Sequence, residues 1–225
     1  MRPSAQADQL IRELLADPRG FADSGRGYKL LQTYFKGVPL DTLRPLLRSG
    51  DLLIQREAVW VASELGAQAF PLLDDVVPLL DSGDRYLTFH AMESVTICAT
   101  GVRAPEFVHV VAKLEDPDEV LRSLSMFLMS NAETSQLVGA VEGELHRVHQ
   151  EGLRLLLDAS ASDEAVLAFI HSDEPLRRRY GAVAAARLYE RSPRLIDEVR
   201  PMEDGEVGSF LDSVLRSRRG RRAST

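Results

Sequence analysis

Apolar residues recur at spacings of three and four along most of the chain, the period of an amphipathic helix. Between positions 52 and 65, Ile54, Ala58, Val61, Ala62 and Leu65 fall on one stripe, and Leu87, Ala91, Val95 and Cys98 repeat the pattern further on. Short polar turns interrupt these stretches at Ser49-Gly50-Asp51, Ser82-Gly83-Asp84, Asp116-Pro117-Asp118, Ser172-Asp173-Glu174 and Asp204-Gly205-Glu206. Each combines turn residues with an acid able to cap the helix that follows. The spacing is 33 from Asp51 to Asp84, 34 from Asp84 to Asp118 and 32 from Glu174 to Glu206. The gap of 56 between Asp118 and Glu174 leaves room for two short units, with a degenerate boundary near Glu144 to His146. The clearest unit reads Leu40 to Leu47, the turn, then Leu52 to Leu65, closed by Gly66 in the left-handed position that ends a helix. The next begins at Ala67 to Phe70 and Pro71.

The segment Asp51-Leu-Leu-Ile54-Gln-Arg-Glu-Ala58-Val-Trp-Val61-Ala62-Ser-Glu-Leu65-Gly66 resembles the second helix of a HEAT repeat. That family pattern joins an acidic turn, a β-branched residue, a polar or basic residue, paired small residues and Leu-Gly. Looser copies run from Asp84 to Ala99, Asp118 to Ala132 and Glu174 to Tyr189, so the resemblance covers roughly 40–200. It implies an all-α protein, a right-handed α-solenoid of about five to six HEAT-like helix pairs in which each pair touches only its neighbours. A tetratricopeptide array shares the period, but its signature does not occur in order here. Residues 1–215 read as a single domain. Ala5 to Ala16 and Gly27 to Lys36 make an atypical opening pair, and Val207 to Leu215 a closing helix. Residues 216–225, arginine-rich and without apolar period, are expected to be a disordered basic tail.

Charge changes the picture of possible partners. The formal net charge is −7, yet Arg216, Arg218, Arg219, Arg221 and Arg222 lie within the last ten residues, so the rest carries −12. Such a body repels phosphate backbones and anionic membranes and steers basic proteins toward it. Lysine occurs only at 29, 36 and 113, an arginine bias of the kind GC-rich bacterial coding produces. No leader-like segment opens the sequence, and no apolar run approaches the roughly 18 residues a bilayer requires, so a cytoplasmic protein is expected. The single cysteine, Cys98, sits in an apolar stretch and is expected to be buried and free.

Candidate chemistry is sparse, and no catalytic, cofactor or metal residues are expected. His146 and His149 stand three apart and could share a helix face, but no third ligand is evident nearby in sequence, so both read as solvated. His90, His109 and His171 are isolated. Asp74 and Asp75 are adjacent, hence about 100° apart on a helix, and read as solvated surface. No phosphate loop, Gly-x-Ser-x-Gly elbow or Cys-His pairing is present.

The face of each second helix left over by the apolar stripe is the informative one. It carries Arg56, Glu57, Trp60 and Glu64 in one unit, and Phe89, His90 and Glu93 in the next. Alignment places Phe127 level with Trp60 and Glu93 in the third. Aromatics flanked by charges are what interface anchors look like. A non-catalytic protein-binding module follows, with a basic protein as partner. Similarity in size, charge and build to small acidic HEAT-like bacterial antidotes implies, most specifically, an immunity protein that neutralises a toxin. Two alternatives share the build: a HEAT-like DNA glycosylase, for which only the cluster Arg177, Arg178 and Arg179 speaks, and a bilin lyase or chaperone-type subunit.

Overall fold

The computed structural model describes residues 3–199 and 205–222; among them every regular element is a helix. Met1, Arg2, Ala223 to Thr225 and Arg200 to Asp204, with the Asp204 end of the last predicted turn, lie outside the described residues. The chain packs as two compact units, 1–98 and 99–225, where the sequence reads as one domain.

The first unit opens with α1 (Pro3–Ala16), α2 (Pro18–Asp23) and α3 (Arg26–Phe35). A 3-10 turn at Leu40–Thr42 leads into α4 (Arg44–Leu47), then α5 (Leu52–Glu64). A 3-10 stretch, Gly66–Leu72, runs through α6 (Leu73–Val76) and a second 3-10 stretch, Val77–Asp81, to α7 (Arg85–Cys98). The long helices α3, α5 and α7 pack side by side. The short segments are 3-10-rich because Pro71 and Pro78 withhold backbone donors, which prevents a continuous α-helix. The predicted stripes are the core: Ala58, Val61, Ala62, Ala91 and Val95 are fully buried. Gly66 adopts φ 57°, as a helix-closing glycine should.

The second unit begins with 3-10 Gly101–Phe107, α8 (Val108–Ala112) and 3-10 Lys113–Glu115, followed by α9 (Glu119–Asn131). Then come α10 (Thr134–Val141), α11 (Arg147–Leu157), α12 (Asp163–Ile170), α13 (Pro175–Arg187), α14 (Arg194–Val199) and α15 (Gly205–Arg222). The expected boundary at 144–146 coincides with the break between α10 and α11. However, α13 packs directly on α9, so the intervening stretch inserts no second helix between them. Its buried run Ala182 to Ala186 explains this: small side chains let α9, α11, α12 and α15 all approach α13. Helix α15 runs from Gly205 to Arg222, and Val207, Phe210, Leu211, Val214 and Leu215 form its buried apolar stripe.

One turn recurs in both units. The side-chain oxygen of Ser49, Ser82, Asp116 or Ser172 accepts the N–H two residues on, at 2.9–3.2 Å. The acid at that position then caps the next helix: Asp51 accepts from Leu53 and Ile54, Asp84 from Leu87, and Asp118 from Val120. Glu174 is the exception, its longer side chain making no cap bond. Four residues beyond each cap, a side chain reaches back to the preceding segment. Gln55 donates to the Leu47 carbonyl, Thr88 to that of Leu80, Arg122 to those of Asp116 and Pro117, and Arg178 to those of Ser172 and Asp173. The sequence period is thus a hydrogen-bonded latch with one register.

Cys98 is buried, its Sγ 3.5 Å from the Gly66 carbonyl, and desolvation pushes its thiol up to about 11. Because the thiolate is the reactive form, the folded chain should resist iodoacetamide at pH 8 and become alkylated only as denaturant opens the first unit. Mass spectrometry across a denaturation series checks this, and rapid labelling without denaturant would contradict it.

Candidate functional site

Seven of the eight predicted interface residues lie on α5 and α7 of the first unit; the eighth, Phe127, is half-buried on α9 of the second. Three of those seven, Arg56, Phe89 and His90, line a cleft of about 480 Å³ together with Asp84, Arg85 and Tyr86. Arg56 reaches from α5 to Asp84, the cap of α7, with Nε at 3.2 Å and Nη2 at 2.5 Å from the two carboxylate oxygens. That two-pronged pairing holds the Asp84 carboxyl below its ordinary range. It also parks the guanidinium 5.8 Å from the centre of the Tyr86 ring.

His90 is the hinge of the aromatic group. Its ring meets Tyr86 edge-on at 4.4 Å and Phe89 at 5.3 Å, while Nδ1 lies 3.0 Å from Glu93 Oε2 and 3.2 Å from Ser63 Oγ. Ser63, buried on α5, in turn donates to the Trp60 carbonyl, so its hydroxyl hydrogen is committed and it accepts from Nδ1–H. Tyr86 and Phe89 are thereby held in place, with Tyr86 40% exposed. Burial against neighbouring acids raises the Tyr86 phenol, which stays protonated and able to donate.

Trp60 is half-buried: its ring lies against Gly27 of α3, where an added Cβ would stand 3.2 Å from the indole and 2.3 Å from the Glu57 carboxylate. Desolvation there raises the Glu57 carboxyl. Trp60 and Glu57 therefore mark where α3 packs on α5, while Glu64 remains exposed. The cleft residues missed from sequence are Asp84, Arg85 and Tyr86. Asp84 reads as a cap and nothing more, but Tyr86 precedes Phe89 and His90 by three and four, a spacing that puts all three on one face.

The second unit holds a different cluster, which corrects the reading of two solvated histidines. His149 is buried and only His146 is exposed. Glu115, at the end of 3-10 Lys113–Glu115, brings Oε2 to 2.6 Å from His146 Nε2 and 2.9 Å from His149 Nε2. His149 Nδ1 lies 2.8 Å from the hydroxyl of fully buried Tyr180 on α13. A carboxylate only accepts, so both Nε2 atoms carry protons; in the neutral imidazole that burial favours, Nδ1 of His149 then accepts from Tyr180. Glu115 is 31 and 34 residues from its partners, too far in sequence for spacing to reveal it.

The arginine cluster is occupied from within. Arg177 pairs with Glu151 and Glu174, Arg178 holds turn carbonyls, and Arg179 binds the Leu114 carbonyl and Glu206. No helix among the described residues is long and apolar enough to cross a membrane.

No protein-family model matches the chain, and no curated protein matches it in sequence. Among solved structures, the crystal structure of an engineered protein superposes over 79% of this chain and 95% of its own, with a TM-score of 0.43 and 18% identity.

Proposed function

We propose that the chain is a non-catalytic protein-binding module of HEAT-like helix pairs, and that the cleft between α5 and α7 is its docking face. The observation that carries this is the preset aromatic group: Tyr86 and Phe89 fixed around His90 beside the Arg56–Asp84 pair and open to solvent. Partly exposed aromatics beside a guanidinium are the residue types that concentrate binding energy, and fixing them beforehand lowers the ordering cost of association. The repeated turn latch and the side-chain ties from one helix pair to the next within the first unit, such as Ser63 to His90 at 27 residues, support the HEAT-like reading of each helix pair. Glu64 and Glu93 beside the cleft, with the net charge of −7, favour a basic partner. An intracellular antidote to a basic toxin is the most specific form of this reading.

Co-purification from the native host, with mass spectrometry of stoichiometric partners, tests the class. Tyr86→Ala and Phe89→Ala are each expected to weaken the recovered complex by about 2 kcal/mol, roughly thirtyfold, without loss of helicity. A toxic partner whose growth inhibition is relieved by the wild-type chain, and less by these variants, supports the antidote role. Full affinity in the double variant would overturn the assignment of the face.

A further inference from the structure

We propose that Glu115, His146 and His149 bind one divalent transition-metal ion, with zinc the best fit, at a site in the second unit that is independent of the docking face. A carboxylate oxygen and two imidazole nitrogens, all within 4.8 Å of one another, converge from two separate chain segments. Two nitrogens and one oxygen are a zinc-type donor set, and calcium and magnesium prefer all-oxygen shells. Zinc bonds of about 2.0–2.1 Å in a tetrahedron set donor atoms roughly 3.3 Å apart. The 2.6 and 2.9 Å separations from Glu115 to the two histidines therefore need to open by roughly 0.4–0.7 Å. Glu115 and His146, both about half exposed, supply that freedom by side-chain rotation. Their exposure also leaves a fourth position for a water molecule.

The surroundings of His149 are those of a ligand held by an outer partner. Its Nδ1 faces the Tyr180 hydroxyl, and Tyr180 is wedged against Gly152, where even a Cβ would come within 2.2 Å of the ring. Gly152 lies one turn after His149 on α11, so the helix that presents the imidazole also pins the group that orients it. An ion entering between the three donors replaces the two Nε2 protons that now bridge to Glu115. Each imidazole takes its proton up at Nδ1, and His149 then donates to the Tyr180 oxygen, so the tyrosine hydroxyl reverses its role. Such outer hydrogen bonds to metal-bound histidines tune the ligand and commonly carry a tenfold or larger share of affinity.

Chelator-treated full-length chain titrated with Co2+ is expected to develop visible d–d absorption from a single site. Zn2+ should bleach that absorption and raise the melting temperature. His146→Gln and Glu115→Gln should each lower Co2+ affinity by at least tenfold, and Tyr180→Phe by about tenfold, while His171→Gln should bind as the wild type does. The first two positions are half exposed, so these variants keep the test valid should His149→Gln fail to fold. Absence of Co2+ absorption in the wild type, or absorption and affinity unchanged in both His146→Gln and Glu115→Gln, would leave a proton-bonded cluster only and overturn the site.

Discussion

Asp75→Ala is expected to destabilise the first unit by about 3 kcal/mol, the low end of the range for breaking a buried ion pair. The Asp75 side chain is wholly buried on α6 and sits between two guanidiniums, one from α4 and one from the residue after it: Arg44 Nη1 at 2.5 Å from Oδ2, and Arg48 Nε on Oδ1. Arg44 is further held by Asp41 at 2.9 Å and the Pro71 carbonyl at 2.6 Å. Alanine would leave both cations facing an empty polar site. Arg48, two-thirds exposed, can turn to water, whereas Arg44 cannot fully do so, which places the cost at the lower end of the range. Asp75→Asn keeps the shape and one acceptor, so about 2 kcal/mol is expected from the loss of charge-assisted bonding. Asp74→Ala, one residue away on the exposed side, should cost at most about 1 kcal/mol. Trp60 is the only tryptophan and lies in this unit, so its fluorescence in a urea titration reads these differences. Equal midpoints for Asp74→Ala and Asp75→Ala would contradict the argument.

That pair of aspartates also shows where sequence reasoning stops. Adjacent helical residues diverge by about 100°, so one of Asp74 and Asp75 could face solvent while the other faced inward. Nothing local says that Arg44 and Arg48, 31 and 27 residues earlier, arrive to neutralise the inner one. The same holds for Glu115 with His146 and His149. In contrast, much of what near neighbours set was legible. The stripe from Ile54 to Leu65 is buried, the Ser-Gly-Asp turns cap the helices they precede, and Gly66 takes the left-handed conformation. The α5–α7 cleft was half legible for the same reason. Phe89 and His90 follow from helical period, but the Arg56–Asp84 bridge that shapes the cleft requires knowing that α5 lies against α7.

Period likewise hides how closely two backbones meet, and the same substitution at two helical glycines should therefore have opposite effects. Alanine is favoured over glycine in a helix interior by about 1 kcal/mol, which on its own predicts stabilisation at both. At Gly208 of α15 nothing lies within 4 Å of an added Cβ, so Gly208→Ala should gain up to about 1 kcal/mol. At Gly139 of α10 the added Cβ would stand 2.6 Å from the Ala104 carbonyl carbon and 2.7 Å from the Pro105 nitrogen. Both are backbone atoms of the 3-10 stretch that α10 packs against, and no side-chain rotation relieves the overlap. Parting the two segments uncovers fully buried Leu137 and Ala140 on α10 together with Phe107, also fully buried, on the facing segment. Gly139→Ala is accordingly expected to lose about 3 kcal/mol net, the upper end of overpacking costs. Circular dichroism on thermal unfolding and amide exchange across α10 and 101–107 measure it. A melting temperature raised by Gly139→Ala as much as by Gly208→Ala would mean that the two backbones do not approach as closely as the packing of α10 requires.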